Sequence, residues 1–328
     1  MYIARAFKQP TMNRKIAIID MGTNTFHLMV ALLDEYGFKI LLKEKVAVRL
    51  GKGGISHGVI TAEAQERALK TLKAFKKIID KERVSATYAT GTSAMRMAKN
   101  GQELADKIHE ATSIKVRIIG GEEEAKLIYY GVKKALKIGD STNLIMDIGG
   151  GSVEFIICNH NAIFWVGSFE IGAQRMLDLY HQSDPIEKGE IENLNSYLEI
   201  HLAKLFVAVK KYKPKTLIGC SGTFDTLSDI HRLKKGILKY IDETELPLNK
   251  ASFDEIYVEL INKTREERLA MPGMIEMRVD MIVVACCLIR FILMKTGIKK
   301  LRASAYALKE GVLLHTVNME QSKISHLN

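Results

Sequence analysis

The sequence predicts an α/β protein built from a duplicated half, with a ligand cleft where two matched loops, Asp20 to Thr25 and Asp147 to Ser152, face each other. Three observations carry this. Short apolar runs that end on an acid or a glycine alternate with stretches of helical periodicity, the order expected of mixed sheets covered by helices. The segment IAIIDMGTNTFHLMV, from Ile16, lies over NLIMDIGGGSVEFII, from Asn143, at an offset of 127, so that Asp20 falls on Asp147, Gly22 on Gly149 and Thr25 on Ser152. Further on, ATGT at Ala89 falls on CSGT at Cys220 at an offset of 131. Two separate matches at a near-constant offset indicate internal duplication.

The elements follow in order. Lys15 to Ile19 is an apolar run closing on Asp20, as in a buried strand; Phe26 to Leu33 and Gly37 to about Val48 are the next two strands. Thr61 can cap a helix in which Ala68, Leu69, Leu72, Phe75, Ile78 and Ile79 recur at helical spacing. Ala86 to Thr90 reads as a strand, Ala94 to Ala111 as a helix and Lys115 to Ile119 as a strand. From Glu122 a helix presents Ala125, Ile128, Val132 and Ala135 on one face. The second half repeats the order: a strand Asn143 to Met146 ending at Asp147, strands Ser152 to Cys158 and Ala162 to Phe169, and a long helix over Ile186 to Lys211. Then come a strand Lys215 to Cys220, helices Phe253 to Ala270 and Glu276 to Lys295, a strand Lys299 to Ser304 and a last helix Tyr306 to Val317. Residues 1–12 read as a short N-terminal extension.

Composition narrows the class. Hydrophobic residues at 47% and charged residues at 26% suit a soluble globular chain. With 48 Lys+Arg against 38 Asp+Glu, the formal charge of +10 favours polyanionic partners without choosing among them. Lys210, Lys211, Lys213 and Lys215 read first as a solvated helix end, and otherwise as a guide for a long polyanion. Cys158, Cys220, Cys286 and Cys287 show no C-x-x-C spacing and sit in apolar surroundings, so buried reduced thiols are expected rather than a metal site or disulfides. Met281 to Ile289, closed by Asp280 and Arg290, is too short to span a bilayer, and the N-terminus carries no apolar leader. The expectation is a cytoplasmic protein with no membrane partner.

The loops carry the chemistry. An acid at a strand end, then glycine and small hydroxyl residues, makes a tight turn whose backbone N–H groups form an anion nest. Thr23, Asn24 and Thr25 add side-chain donors in the first loop; Gly149, Gly150, Gly151 and Ser152 offer mostly backbone in the second. Asp20 and Asp147 follow apolar residues, which suits either a turn-capping role or a magnesium ion held largely through waters. Glu154 stands on the Ser152 face of its strand amid Val153, Phe155, Ile156 and Ile157, where an ordinary surface acid is not expected. At the repeat-matched place the first half has His27, so the two halves are not equivalent.

At these residues the chain resembles the exopolyphosphatase / guanosine pentaphosphate phosphohydrolase (Ppx/GppA) family, within the actin, sugar kinase and heat-shock chaperone superfamily. The first loop, Asp20-Met-Gly-Thr-Asn-Thr-Phe-His-Leu28, is similar to D-x-G-S-N-S-x-x-L, and Asp147 to Glu154 is similar to D-I-G-G-G-S-T-E. Between them stand Thr92-Ser-Ala-Met-Arg96 and Gly121-Glu-Glu-Glu-Ala-Lys-Leu127; later come Arg278-Val-Asp280 and Ser304 to Gly311. Departures are Val153 for Thr, Lys126 for Arg, and Ser221 where the family often has Gly. There is no adjacent His-Asp pair of a helical phosphohydrolase domain, so the resemblance is to the short, two-domain members.

The resemblance implies duplicated actin-like (ribonuclease H-like) domains, each a mixed five-stranded sheet with flanking helices: 13–123 plus about 305–328 form the first, 124–304 the second. It implies hydrolysis of a terminal phosphoanhydride of inorganic polyphosphate, with guanosine pentaphosphate the rival substrate, Mg2+ (or Mn2+) as cofactor, and no nucleic-acid partner. The base it points to is Glu124, with Glu123 as fallback; read without it, Glu122 to Glu124 is more readily an acidic first turn. Arg96 is the candidate phosphate ligand. Asp20, Asp147 and Glu154 are the metal-side acids. A small-molecule kinase and a non-catalytic, filament-forming relative are the readings of another class, and a homodimer is compatible with a long substrate.

Overall fold

The structure, a computed structural model, describes residues 14–34, 37–240 and 242–325. The extension expected over 1–12 lies outside the described residues. One sheet is made of β1 (Arg14–Met21), β2 (Phe26–Asp34), β3 (Gly37–Val46), β4 (Ala86–Gly91) and β5 (Val116–Ile118), in the order β3-β2-β1-β4-β5. β1 to β3 are antiparallel neighbours; β4 runs parallel to β1 and β5 parallel to β4. Its helices are α1 (Ala62–Lys81), α2 (Ser93–Met97) and α3 (Gly101–Thr112); α4 (Gly121–Ala135) follows and packs on the second sheet. Thr61 caps α1 as expected, its side chain accepting the Ala64 N–H.

The second sheet contains β6 (Asn143–Ile148), β7 (Val153–Cys158), β8 (Ile163–Phe169), β9 (Thr216–Cys220), β10 (Glu245–Leu246) and β11 (Lys300–Ser304), in the order β10-β11-β9-β6-β7-β8. Around it stand α5 (Ala173–Tyr180), α6 (Lys188–His201), α7 (Ala203–Tyr212), α8 (Ser221–Lys235), α9 (Lys250–Asn262), α10 (Arg265–Leu269) and α11 (Ile282–Thr296); α12 (Leu308–Ser325) closes the chain. This is the duplicated α/β architecture that the sequence predicts, two mixed sheets each flanked by helices. The repeat holds to the register: Asp20 pairs with His27 across β1–β2 as Asp147 pairs with Glu154 across β6–β7.

The structure corrects one expectation about the sheets and several about helix ends. The second sheet has six strands, because Glu245 and Leu246 add an antiparallel edge to β11; two residues carry no readable alternation. The helix expected over 186–211 breaks at Leu202 into α6 and α7. That expected over 94–111 breaks at Ala98, whose ψ of 135° is extended. That expected over 253–270 breaks at Lys263, extended at ψ 143°, and restarts on a Thr264–Glu267 capping box. The helix expected from Glu276 begins at Ile282.

The cleft between the two loops rests on the core between the two sheets. Ile16 and Ile18 from β1, Ile145 and Ile156 from the second sheet, and apolar residues of α4 and α12 form one cluster. Gly131 of α4 and Gly311 of α12 let these helices touch: a methyl on either would fall 2.2 Å from the Ala307 carbonyl oxygen or 1.8 Å from that of Leu127. The N-termini of α4 and α12 therefore open at the cleft, which puts Glu124 and Lys309 beside the loops.

Candidate active site

The two loops are the same turn. The Gly22 N–H donates to the Thr25 carbonyl at 3.1 Å, and the Gly149 N–H to the Ser152 carbonyl at 3.0 Å. They abut rather than stand apart. A methyl on Gly151 would lie 2.6 Å from Thr23 Oγ1 and 2.4 Å from Ser93 Oγ; one on Gly150 would lie 2.8 Å from Asn24 Nδ2. Only glycine allows this approach of backbone to side-chain donors. The cleft they bound is small, about 100 Å³.

Of the residues singled out in the sequence, Asp20, Gly22, Thr23, Asn24, Thr25, Glu124, Asp147, Gly149, Gly150, Gly151, Ser152 and Glu154 all line this cleft. Glu123 does not: its carboxylate pairs with Arg117 at 2.5 Å on the exposed side of α4. Arg96 does not line it either. Its Nη1 donates to Glu124 Oε2 at 2.9 Å and to the Ile119 carbonyl at 3.1 Å, and its Nη2 to Glu170 Oε1 at 3.0 Å.

Burial governs the acids. Glu124, Asp147 and Glu154 are buried. Desolvation is the main cause of the raised pKa of each, and mutual repulsion adds to it for Glu124 and Glu154. Ser168 Oγ donates to Glu154 at 2.8 Å and Ser221 Oγ to Asp147 at 2.7 Å, each favouring the ionised form. Burial pushes Asp20 up to about 7, Lys309 opposing and Asp147 and Glu310 reinforcing. Ser221 sits at φ 68°, a left-handed conformation that favours glycine, which accounts for the glycine often found there in the family; here the serine keeps its hydroxyl on Asp147.

Sequence reasoning missed the cations. Lys45, Arg278 and Lys309 line the cleft beside His27 and Asp225. Arg278 is buried and its Nε has no hydrogen-bond partner; its guanidinium packs over Gly222, where a methyl would lie 2.0 Å from Nη2. Burial together with Lys309, Lys45 and Arg278 pushes His27 down to about 2, so it is neutral. Arg278 was visible only as part of a short motif, and Lys309 only as a variable position. Glu170 was missed altogether. It follows β8 and accepts from Ser93 Oγ at 2.6 Å as well as from Arg96, while Arg175 ties the Gly151 carbonyl at 3.0 Å to the Ile55 carbonyl at 3.1 Å. Nothing in the repeat marks either position.

Among the described residues, no group of three or more His, Cys, Asp or Glu is gathered closely enough to hold a metal by itself. The side-chain ligands available in the cleft are mostly carboxylate and hydroxyl oxygens, with the Asn24 amide and the His27 imidazole beside them. That set fits a hard cation such as Mg2+ or Mn2+, which binds through one or two carboxylates, waters and substrate phosphates. The four cysteines are free and buried, as expected. Lys210, Lys211, Lys213 and Lys215 are exposed around the end of α7, a solvated helix end.

The profile of the Ppx/GppA phosphatase family matches residues 29–320 of the chain. The crystal structure of an exopolyphosphatase from Cytophaga hutchinsonii is similar at 45% identity and a TM-score of 0.90, covering 93% of this chain and 98% of that one. The Aquifex aeolicus member of the Ppx/GppA protein family is similar in fold at 24% identity and a TM-score of 0.77, covering 94% of this chain and 98% of that one.

Proposed function

The chain belongs to the Ppx/GppA phosphatase family, and from that premise we propose that it releases the terminal phosphate of inorganic polyphosphate, with water as acceptor and Glu124 as base. That it is a phosphoanhydride hydrolase follows from the family and from the exopolyphosphatase it is similar to. Membership of a phosphatase family speaks against the kinase and filament readings. The observation that carries the proposal is the buried Glu124, held by Arg96 against a cleft bounded by two abutting anion loops.

The backbone donors of the two loops bind the terminal phosphoryl group. Arg278 and Lys309 face the charge that develops on it and on the leaving phosphate. Glu124, deprotonated, takes the proton of the attacking water at Oε1 or Oε2; its raised pKa places that proton transfer near neutral pH. Glu154, fixed by Ser168, positions the water. Asp20 and Asp147 would hold the cation, which when bound neutralises phosphate charge. Neutral His27 adds no charge to the first loop, so the cations opposite dominate.

Among the described residues no helix is long and apolar enough to cross a membrane. A cytoplasmic location, a homodimer and the absence of a nucleic-acid partner belong to the proposal.

The test compares phosphate release from polyphosphate and from guanosine pentaphosphate under matched Mg2+ and salt. Faster release from polyphosphate is expected. Release from the nucleotide alone would transfer the assignment to guanosine pentaphosphate.

A further inference from the structure

A cavity of about 470 Å³ lies away from the catalytic cleft, on the first sheet. It exists because the helices leave part of a sheet face bare. α12 packs on β1 and β2, and α4 packs on α12, β7 and β8, so the β4–β5 face beside α12 stays uncovered. The sequence of β5 suits such a face. Val116 and Ile118 pack into the core with α1 and α3, and the alternation leaves Arg117, with Lys115 just before the strand, on the open side. Both cations line the cavity, His315 of α12 joins them, and among the described residues no Asp or Glu lines it. Arg117 is held by Glu123 of α4; Lys115 has no carboxylate partner among the described residues. The helix wall is aliphatic, with Leu127 from α4 and Val312 and Met319 from α12.

We propose that this cavity is a regulatory site for a small amphipathic carboxylate, its carboxyl group on Lys115 and Arg117 and its apolar body against Leu127, Val312 and Met319. The volume falls within the roughly 300–1,000 Å³ of small-molecule sites. Cations on the sheet wall and aliphatic side chains on the helix wall ask for a ligand with one charged end. Free phosphate would leave the helix wall unused. The position bears on lobe motion. The chain crosses from the first sheet to the second through α4 and returns through α12. The two helices touch where Gly311 meets the Leu127 carbonyl, and Leu127 lines the cavity. Glu124 stands one turn before Leu127, and Lys309 one turn before Val312. A ligand wedged between α12, Leu127 and the β4–β5 face resists sliding of α4 on α12, and so slows closure of the cleft without entering it.

The probes are octanoate and its neutral counterpart 1-octanol, titrated calorimetrically into the full chain and added to assays of phosphate release. Octanoate is expected to bind about tenfold tighter than 1-octanol. At saturation it should lower kcat about fivefold and leave KM unchanged. Lys115→Glu and Met319→Glu change exposed positions outside the cleft and should keep the basal turnover. Lys115→Glu should abolish the preference for octanoate while 1-octanol binds as before; Met319→Glu should weaken both probes; each should relieve the inhibition. Equal affinity for the two probes would overturn the carboxylate assignment. Octanoate binding unaltered in both variants would overturn the location, and a raised KM would place the probe in the catalytic cleft instead. Binding that leaves kcat unmoved would overturn the regulatory role. The calorimetric arm needs no substrate, so its outcome stands whichever phosphoanhydride the protein hydrolyses.

Discussion

Arg96 Nη1 meets Glu124 Oε2 at 2.9 Å while Arg96 Nη2 meets Glu170 Oε1 at 3.0 Å. The arginine expected to bind phosphate is thus engaged with two carboxylates, and its effect on the reaction runs through Glu124. Burial raises the pKa of Glu124 and Arg96 opposes that rise. Removing the guanidinium, as in Arg96→Met, therefore leaves burial unopposed and moves the base to a higher pKa. The acid limb of kcat should move to higher pH, with lost rate partly recovered in alkaline buffer. Glu124→Gln should lose about 10²–10⁴ in kcat at every pH. A profile for Arg96→Met that overlays the unaltered protein would contradict this account.

Glu170 acts in the opposite sense. Its carboxylate draws on Ser93, Arg96 and Arg175 at once. In Glu170→Gln the guanidinium of Arg96 turns more of its charge to Glu124, so the acid limb should move to lower pH. Looser placement of Ser93 and Arg96 should cost about 5- to 20-fold in kcat, with KM little changed. A variant that loses only thermal stability, with its pH profile unmoved, would show that Glu170 merely fastens the lobes.

Arg278 has a buried Nε without a partner, and Gly222 leaves room for its guanidinium. A phosphate in the cleft would supply the missing acceptor. Arg278→Lys keeps the charge but loses the forked geometry, and a drop of about 10- to 100-fold in kcat/KM is expected. Gly222→Ala should give a similar loss by pushing the guanidinium aside. Kinetics of Gly222→Ala equal to the unaltered protein would mean that Arg278 does not touch substrate.

The line between what the sequence showed and what it did not follows a physical division. The repeat exposed Asp20, Asp147, both glycine turns and Glu154, because these lie on strand ends whose alternation and spacing are local. The cations were hidden. Arg278 and Lys309 reach the cleft only because α11, α12 and the second sheet pack as they do, and no local period marks that. The partners of Arg96 were hidden for the same reason: its place just after β4 was legible, but its engagement by Glu124 and Glu170 depends on α4 and on the end of β8. Helix ends at Leu202 and Lys263 escaped for a different reason. The apolar period continues across each break and masks it, although at Lys263 the Thr264–Glu267 capping box was there to be read as a new helix start. The glycine usual at position 221 becomes intelligible only with the φ of 68° in hand.

The acids also make stability depend on pH and, under the proposed function, on metal. Asp20 has its pKa raised to about 7, chiefly by burial, and those of Glu124, Asp147 and Glu154 are raised as well. A carboxyl raised on folding binds more protons in the native state than in the unfolded one, so stability is highest below the unfolded pKa and falls as pH climbs through the folded one. For Asp20 that window is from about 4 to about 7. Asp20→Asn removes its share of the penalty. Without metal, the variant should melt at a higher temperature than the unaltered protein at pH 8, by the equivalent of about 1–3 kcal/mol, because Asp20 keeps some solvent contact. The difference should vanish near pH 4. Millimolar Mg2+ should reverse the order at pH 8, since binding stabilises the native state only where the carboxylate can meet the ion. The measurement is thermal unfolding of both proteins in chelator and in Mg2+ across this range. Equal melting at pH 8 in chelator would show that Asp20 is not held against its charge, and equal response to Mg2+ would remove it from the cation site.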